Sequence, residues 1–195
     1  FIFFSAIGGV DAHLTPGLLV NIHTKNGTVR GVIGKKPIHL MEVKDRETVV
    51  KLDAQYIDIG AVDKAEAEAL VRVGDPVTFS SAFSALQGNR VTSRGFDDKA
   101  GSFVVAEVLR QVSALNENLP CDLYGVSSVQ EEVGLRGGTT SCYNVKPDIG
   151  ICVEVDFATD QPDVERKHNG DVAIGKGPIL PRGANINHAL FELLA

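Results

Sequence analysis

No stretch of this sequence is apolar over the ~18–20 residues that a membrane-crossing helix needs. The opening Phe1-Ile2-Phe3-Phe4 is apolar, but it lacks a basic flank and is too short for a signal peptide. Basic residues are in the minority, 19 Lys and Arg against 25 Asp and Glu, for a formal net charge of −6. No basic patch stands out, so neither nucleic acid nor an anionic membrane is expected as a partner. Cysteine is scarce. Cys121, Cys142 and Cys152 are an odd number with no Cys-x-x-Cys or zinc-finger spacing, which fits a reduced, cytoplasmic setting. Also missing are His-Glu-x-x-His, a Gly-x-Ser-x-Gly elbow, a P-loop and a dinucleotide fingerprint.

What is present is an ordinary globular composition, 44% hydrophobic and 23% charged. The 20 glycines and 8 prolines are dispersed, which excludes collagen-like and low-complexity chains. At 195 residues the chain can hold one well-cored domain or two small ones. It opens without methionine, and Phe191-Glu192-Leu193-Leu194-Ala195 ends inside a helical pattern with no cap. A chain cut at both ends is the expectation.

Residues 14–83 read as short strands with glycine turns. The runs 19–24 and 28–33 flank Lys25-Asn26-Gly27, a hairpin signal. Further strands are predicted at 49–52, 56–59 and 76–79, with a short helix over 64–71 capped by Asp63. That density of strands predicts a small β-barrel or sandwich. After Gln87 helix and strand alternate. Phe103, Val104, Val108, Leu109, Val112 and Leu115 have helical spacing over 99–115. Residues 123–129 and 148–155 are rich in β-branched side chains and predict buried strands. The organisation expected is an α/β domain, residues 1–12 and 85–195, interrupted by a β module at 13–84.

Three acidic clusters lie at the edges of the α/β elements. Asp97 and Asp98 precede the long helix, where they could cap its amides or serve a site. Glu131 and Glu132 end one apolar strand, the position at which open α/β sheets place ligands. The pair could also be an ordinary solvated strand end. Glu154 and Asp156 end the other strand, and an unpaired carboxylate buried there would be costly. Such a set suits a hard or borderline cation. His13, His23, His39, His168 and His188 do not supply obvious ligands.

Arg94–Gly101, Val129–Gly138 and Glu154–Asp160, in that order, resemble the tetrahedral (TET-type) aminopeptidases. These are the glutamyl and deblocking aminopeptidases, once also labelled cellulase M. Ile7-Gly8-Gly9-Val10-Asp11, Gly31-Val32-Ile33-Gly34, Gly175-Lys176-Gly177-Pro178 and Asn185-Ile186-Asn187 extend the likeness along essentially the whole chain. The resemblance implies a mixed-sheet α/β zinc-peptidase domain interrupted by a small PDZ-like β-barrel that serves dimerisation and assembly. It also implies two divalent ions, zinc or cobalt. Asp97 would bridge them, Glu132 would bind one, and Glu131 would be the general base. Glu154 falls where the family usually has an aspartate ligand to the second ion, with Asp156 as the fallback. Two-metal chemistry would lower the pKa of a water toward about 7, and Glu131 would relay its proton to the leaving amine. Peptides with a free N-terminus would be the substrates, and a homo-oligomer, from dimer to dodecamer, the working form. The family's two histidine ligands have no counterpart here, so the 195 residues alone are expected to be inactive.

Two other readings use the same residues. One is a non-catalytic scaffold of this fold. The other is a metal-independent glycoside hydrolase working through two carboxylates.

Overall fold

The computed structural model describes residues 1–195. Its core is a four-stranded antiparallel sheet. Strands β1 (Leu19–Thr24) and β2 (Gly27–Gly34) form the hairpin, with Thr24 opposite Gly27 and Val20 opposite Gly31. Lys25 and Asn26 are the two loop residues, held by Asn26 N–H donating to Thr24 Oγ1 at 3.1 Å. The hairpin is flanked by β3 (Tyr56–Asp58) on β2 and β4 (Val77–Phe79) on β1, giving the order β3-β2-β1-β4. Alternation along these strands turns Val20, Ile22, Ile33 and Ile57 to one face, where all four are buried; Ile2, Phe4, Val29, Ile59, Val71 and Phe79 pack around them. Between the strands, α1 (Lys64–Leu70) starts at Asp63, whose Oδ1 accepts the Glu66 N–H at 2.8 Å.

The sheet is open, which corrects the expected barrel. Closure needs strands of matched length and stagger, but both edges, β3 and β4, are only three residues long. The strand expected at 49–52 does not form, and residues 38–54 run through three 3-10 turns. A buried polar latch covers that region instead. Thr15 Oγ1 donates to Gln55 Oε1 at 2.6 Å, and Gln55 Nε2 donates to the carbonyls of Val50 (2.9 Å) and Ala12 (3.2 Å).

The rest of the chain is helical and extended. A two-stranded ribbon, β5 (Ser84–Ala85) and β6 (Val91–Thr92), leads into α2 (Phe96–Ala114). Then follow α3 (Arg136–Val145), the single turn α4 (Arg166–Asn169) and α5 (His188–Leu194). The mixed sheet expected here is absent. Backbone groups of residues 123–128 and 148–154 exchange no hydrogen bond with another segment, and no hydrophobic side chain beyond Ile57 is buried. β-Branched composition favours a pleated surface but does not provide its partner, and a strand exists only through its ladder. Gly125 lies against α2, where a Cβ would run into Leu109 and Val105. No helix is long and apolar enough to cross a membrane.

Candidate active site

The start of α2 divides two adjacent aspartates by role. Asp98 is the cap: its Oδ1 accepts the Gly101 N–H at 2.7 Å, and a Cβ on Gly101 would collide with its carboxylate. Asp97, with extended dihedrals (φ −88°, ψ 112°), accepts no amide and leaves its carboxylate free. Regular helix begins at Lys99, as its periodicity requires.

Glu131 and Glu132 lie in the turn between the extended run 123–129 and α3. The turn is closed by Gly134 and Leu135 N–H groups donating to Glu131 O at 3.0 and 2.9 Å. Two residue pairs further out, Gly137 N–H donates to Val129 O at 2.9 Å, an approach that leaves no room for a side chain on Gly137. Glu154 and Asp156 are both exposed, and each accepts the N–H of its successor, Val155 at 2.9 Å and Phe157 at 2.7 Å. The burial expected of Glu154 is not found, because the strand that would enclose it is not formed.

These acids converge electrostatically. The Glu131 carboxyl is pushed above the ordinary carboxylate range, first by partial dehydration and then by the negative charges of Glu132, Glu154 and Asp97. Like charges gathered without a counter-ion disfavour ionisation of the group at their centre, and a divalent cation relieves this. The donor chemistry therefore suits a hard or borderline cation. The geometry stops short of a closed coordination shell, since no three of His, Cys, Asp and Glu stand close enough to hold an ion. The five histidines are all exposed: His23 Nε2 lies 2.8 Å from Thr78 Oγ1, and His168 lies 3.6 Å from Glu165. The three cysteines are free and exposed. An open cavity of about 410 Å³ adjoins the Asp97 turn, with Arg94, Phe96, Lys99 and Phe103 in its walls.

Two residues outside the acidic clusters bear on them. Thr159 is buried and ties the segment after Asp156 to residues 170–172. Gly8, at φ +75°, meets the backbone and Cβ of Glu132. A Gly-Gly pair and a threonine after an apolar run were the only sequence signals for either, and neither names its distant partner.

A family model of the M42 glutamyl aminopeptidases matches residues 1–193. The lysyl aminopeptidase of Pyrococcus furiosus is 35% identical over 186 residues, 94% of this chain and 52% of the relative. The TET aminopeptidase of a marine sediment archaeon of the Thaumarchaeota superposes with a TM-score of 0.74 at 39% identity, over 80% of this chain and 44% of that one. The TET1 peptidase of Pyrococcus horikoshii, which can assemble into a tetrahedron or a large octahedral shell, has a TM-score of 0.54 and 36% identity, over 72% of this chain and 42% of that one. The chain spans about half the length of the curated relatives it matches. With nearly every residue matched and the ordered acidic clusters in place, the chain belongs to the M42 glutamyl aminopeptidase family, whose members are metallopeptidases.

Proposed function

We propose that the protein is a metal-dependent aminopeptidase in which Glu131 is the general base and Asp97, Glu132 and Glu154 hold the metal. The observation that carries this reading is the match of residues 1–193 to the M42 glutamyl aminopeptidases, and it is supported by the charges of Glu132, Glu154 and Asp97 bearing on Glu131. A scaffold has no use for such repulsion, which lowers stability unless a cation offsets it. When bound, two divalent ions, zinc or cobalt, would supply Lewis-acid polarisation of the scissile carbonyl and a water of lowered pKa.

The chain's own residues do the rest. Glu131, kept off the metal, takes a proton on its carboxylate from the attacking water and passes it to the nitrogen of the departing amine. Asp97 is available because Asp98 has taken over capping. Asp97, Glu132 and Glu154 present carboxylate oxygens, and Asp156 lies two residues beyond Glu154 as the alternative donor. Peptides with a free N-terminus are the substrate class. Residues 1–12 and 85–195 carry the chemistry, and residues 13–84, PDZ-like in the family, serve assembly into a homo-oligomer in the cytoplasm.

The test is Glu131→Gln in the full-length protein. It should keep its bound metal while peptide hydrolysis falls about 10²–10⁴-fold, the usual contribution of a general base. Unchanged turnover sinks the assignment. Chelation separates the glycoside hydrolase reading, since an endoglucanase working through two carboxylates alone would survive it.

A further inference from the structure

The segment before the β module is anchored at both ends. At one end Ile2 exchanges two backbone hydrogen bonds with Ile57, at 2.9 and 2.8 Å, and Phe1 packs on Tyr56 with ring centroids 4.6 Å apart. At the other end Gly8 lies against the turn that carries the paired glutamates. A Cβ on Gly8 would stand 3.0 Å from Glu132 Cβ and 3.1 Å from Glu132 O. Contacts that short are tighter than nine in ten real Cβ contacts, so the neighbour must give by a few tenths of an ångström, and here the neighbour is backbone and the root of the Glu132 side chain. Gly8 also holds φ at +75°, where L side chains are strained. Gly9, next in sequence, has neither feature: its φ is ordinary and a Cβ there meets nothing within 4 Å.

We propose that Gly8 is a positioning residue for Glu132, an abutment whose bare Cα sets where the Glu131–Glu132 turn can sit. The proposal rests on the reading of Glu132 as a metal ligand. Any side chain at position 8 pushes the Glu132 backbone outward and carries its carboxylate away from Asp97 and Glu154. Sites of this kind are held to within about 0.5 Å, so a shift of even a few tenths of an ångström weakens them.

Three variants of the full-length protein separate the possibilities. Gly8→Ala adds both the contact and the strain. Gly8→Asn adds the contact but tolerates positive φ. Gly9→Ala adds neither. Each is titrated calorimetrically with Co²⁺, melted without metal, and assayed for kcat and KM on a peptide with a free N-terminus. Both Gly8 variants should bind Co²⁺ at least tenfold more weakly and lose kcat more than KM, while Gly9→Ala matches wild type. The proposal is overturned if Gly8→Asn keeps wild-type affinity and kcat, if Gly9→Ala loses as much, or if the Gly8 variants fail only because they are unfolded. Should the wild-type protein itself bind no divalent ion, the metal-ligand reading of Glu132 falls, and this one with it.

Discussion

Thr159 and Val172 are joined by a closed ring of hydrogen bonds. The Thr159 N–H donates to Val172 O at 2.7 Å, and Val172 N–H donates back to Thr159 Oγ1 at 2.8 Å. The hydroxyl proton has two acceptors, Gly170 O at 3.0 Å and Val172 O at 3.1 Å. With Thr159 only 2% exposed, water cannot replace these bonds, and the charged excursion 160–171 is pinned at its neck.

Thr159→Val keeps the shape and removes the hydroxyl, leaving the Val172 N–H without its acceptor. A loss of about 1–3 kcal/mol in local stability is expected. Amide exchange at Val172 should accelerate, while that of Ile22 and Ile33, in the distant sheet, should not. Thr159→Ser should behave as wild type. Equal exchange at Val172 in all three proteins would contradict the clamp.

Relief of carboxylate repulsion should be visible without any metal. In the cation-free protein, Glu131→Gln removes the charge on which Glu132, Glu154 and Asp97 bear. Its thermal midpoint should therefore exceed that of wild type at low ionic strength. The gain should shrink in ~1 M salt, where the Debye length is about 3 Å. A midpoint below wild type would argue against the convergence of these acids.

Ile57 is fully buried, at the meeting point of the sheet and the N-terminal segment. Ile57→Ala should cost about 2–5 kcal/mol, measured by denaturant titration. Ile57→Val should cost about 0.5–1.5 kcal/mol. Similar costs for the two would mean that the site collapses around the deletion.

Asp63 offers a smaller, local test. Its side chain caps α1 through the Glu66 N–H, while Glu66 Oε2 accepts the Val62 N–H at 2.8 Å. Asp63→Ala should cost about 0.5–2 kcal/mol, and Asp63→Ser or Asp63→Asn should restore most of it. No difference between alanine and serine would show that the cap is not formed in solution.

Legibility along the chain followed the range of the forces involved. The hairpin, the Asp63 cap and the body of α2 were readable because alternation, capping and helical spacing act within a few residues. The strands at 123–129 and 148–155 were misread for the converse reason. Composition there is strand-like, but the segments find no hydrogen-bonded neighbouring strand, and composition alone does not provide one. The barrel failed in the same way, since closure depends on two short edge strands finding each other.

The candidate site shows the same division. Sequence by itself determined the supply of acids, their order, and their position at the ends of apolar runs. Local pattern left Asp97 and Asp98 interchangeable as caps or ligands, and only the family resemblance singled out Asp97. Backbone direction at the start of α2 made Asp98 the cap and left Asp97 free, while tertiary structure brought Glu154 within electrostatic reach of Glu131 and seated Gly8 against Glu132. Those three outcomes join residues distant in the chain, or choose between neighbours by backbone direction. The first kind depends on how segments pack and the second on the dihedrals of single residues, and no local periodicity encodes either.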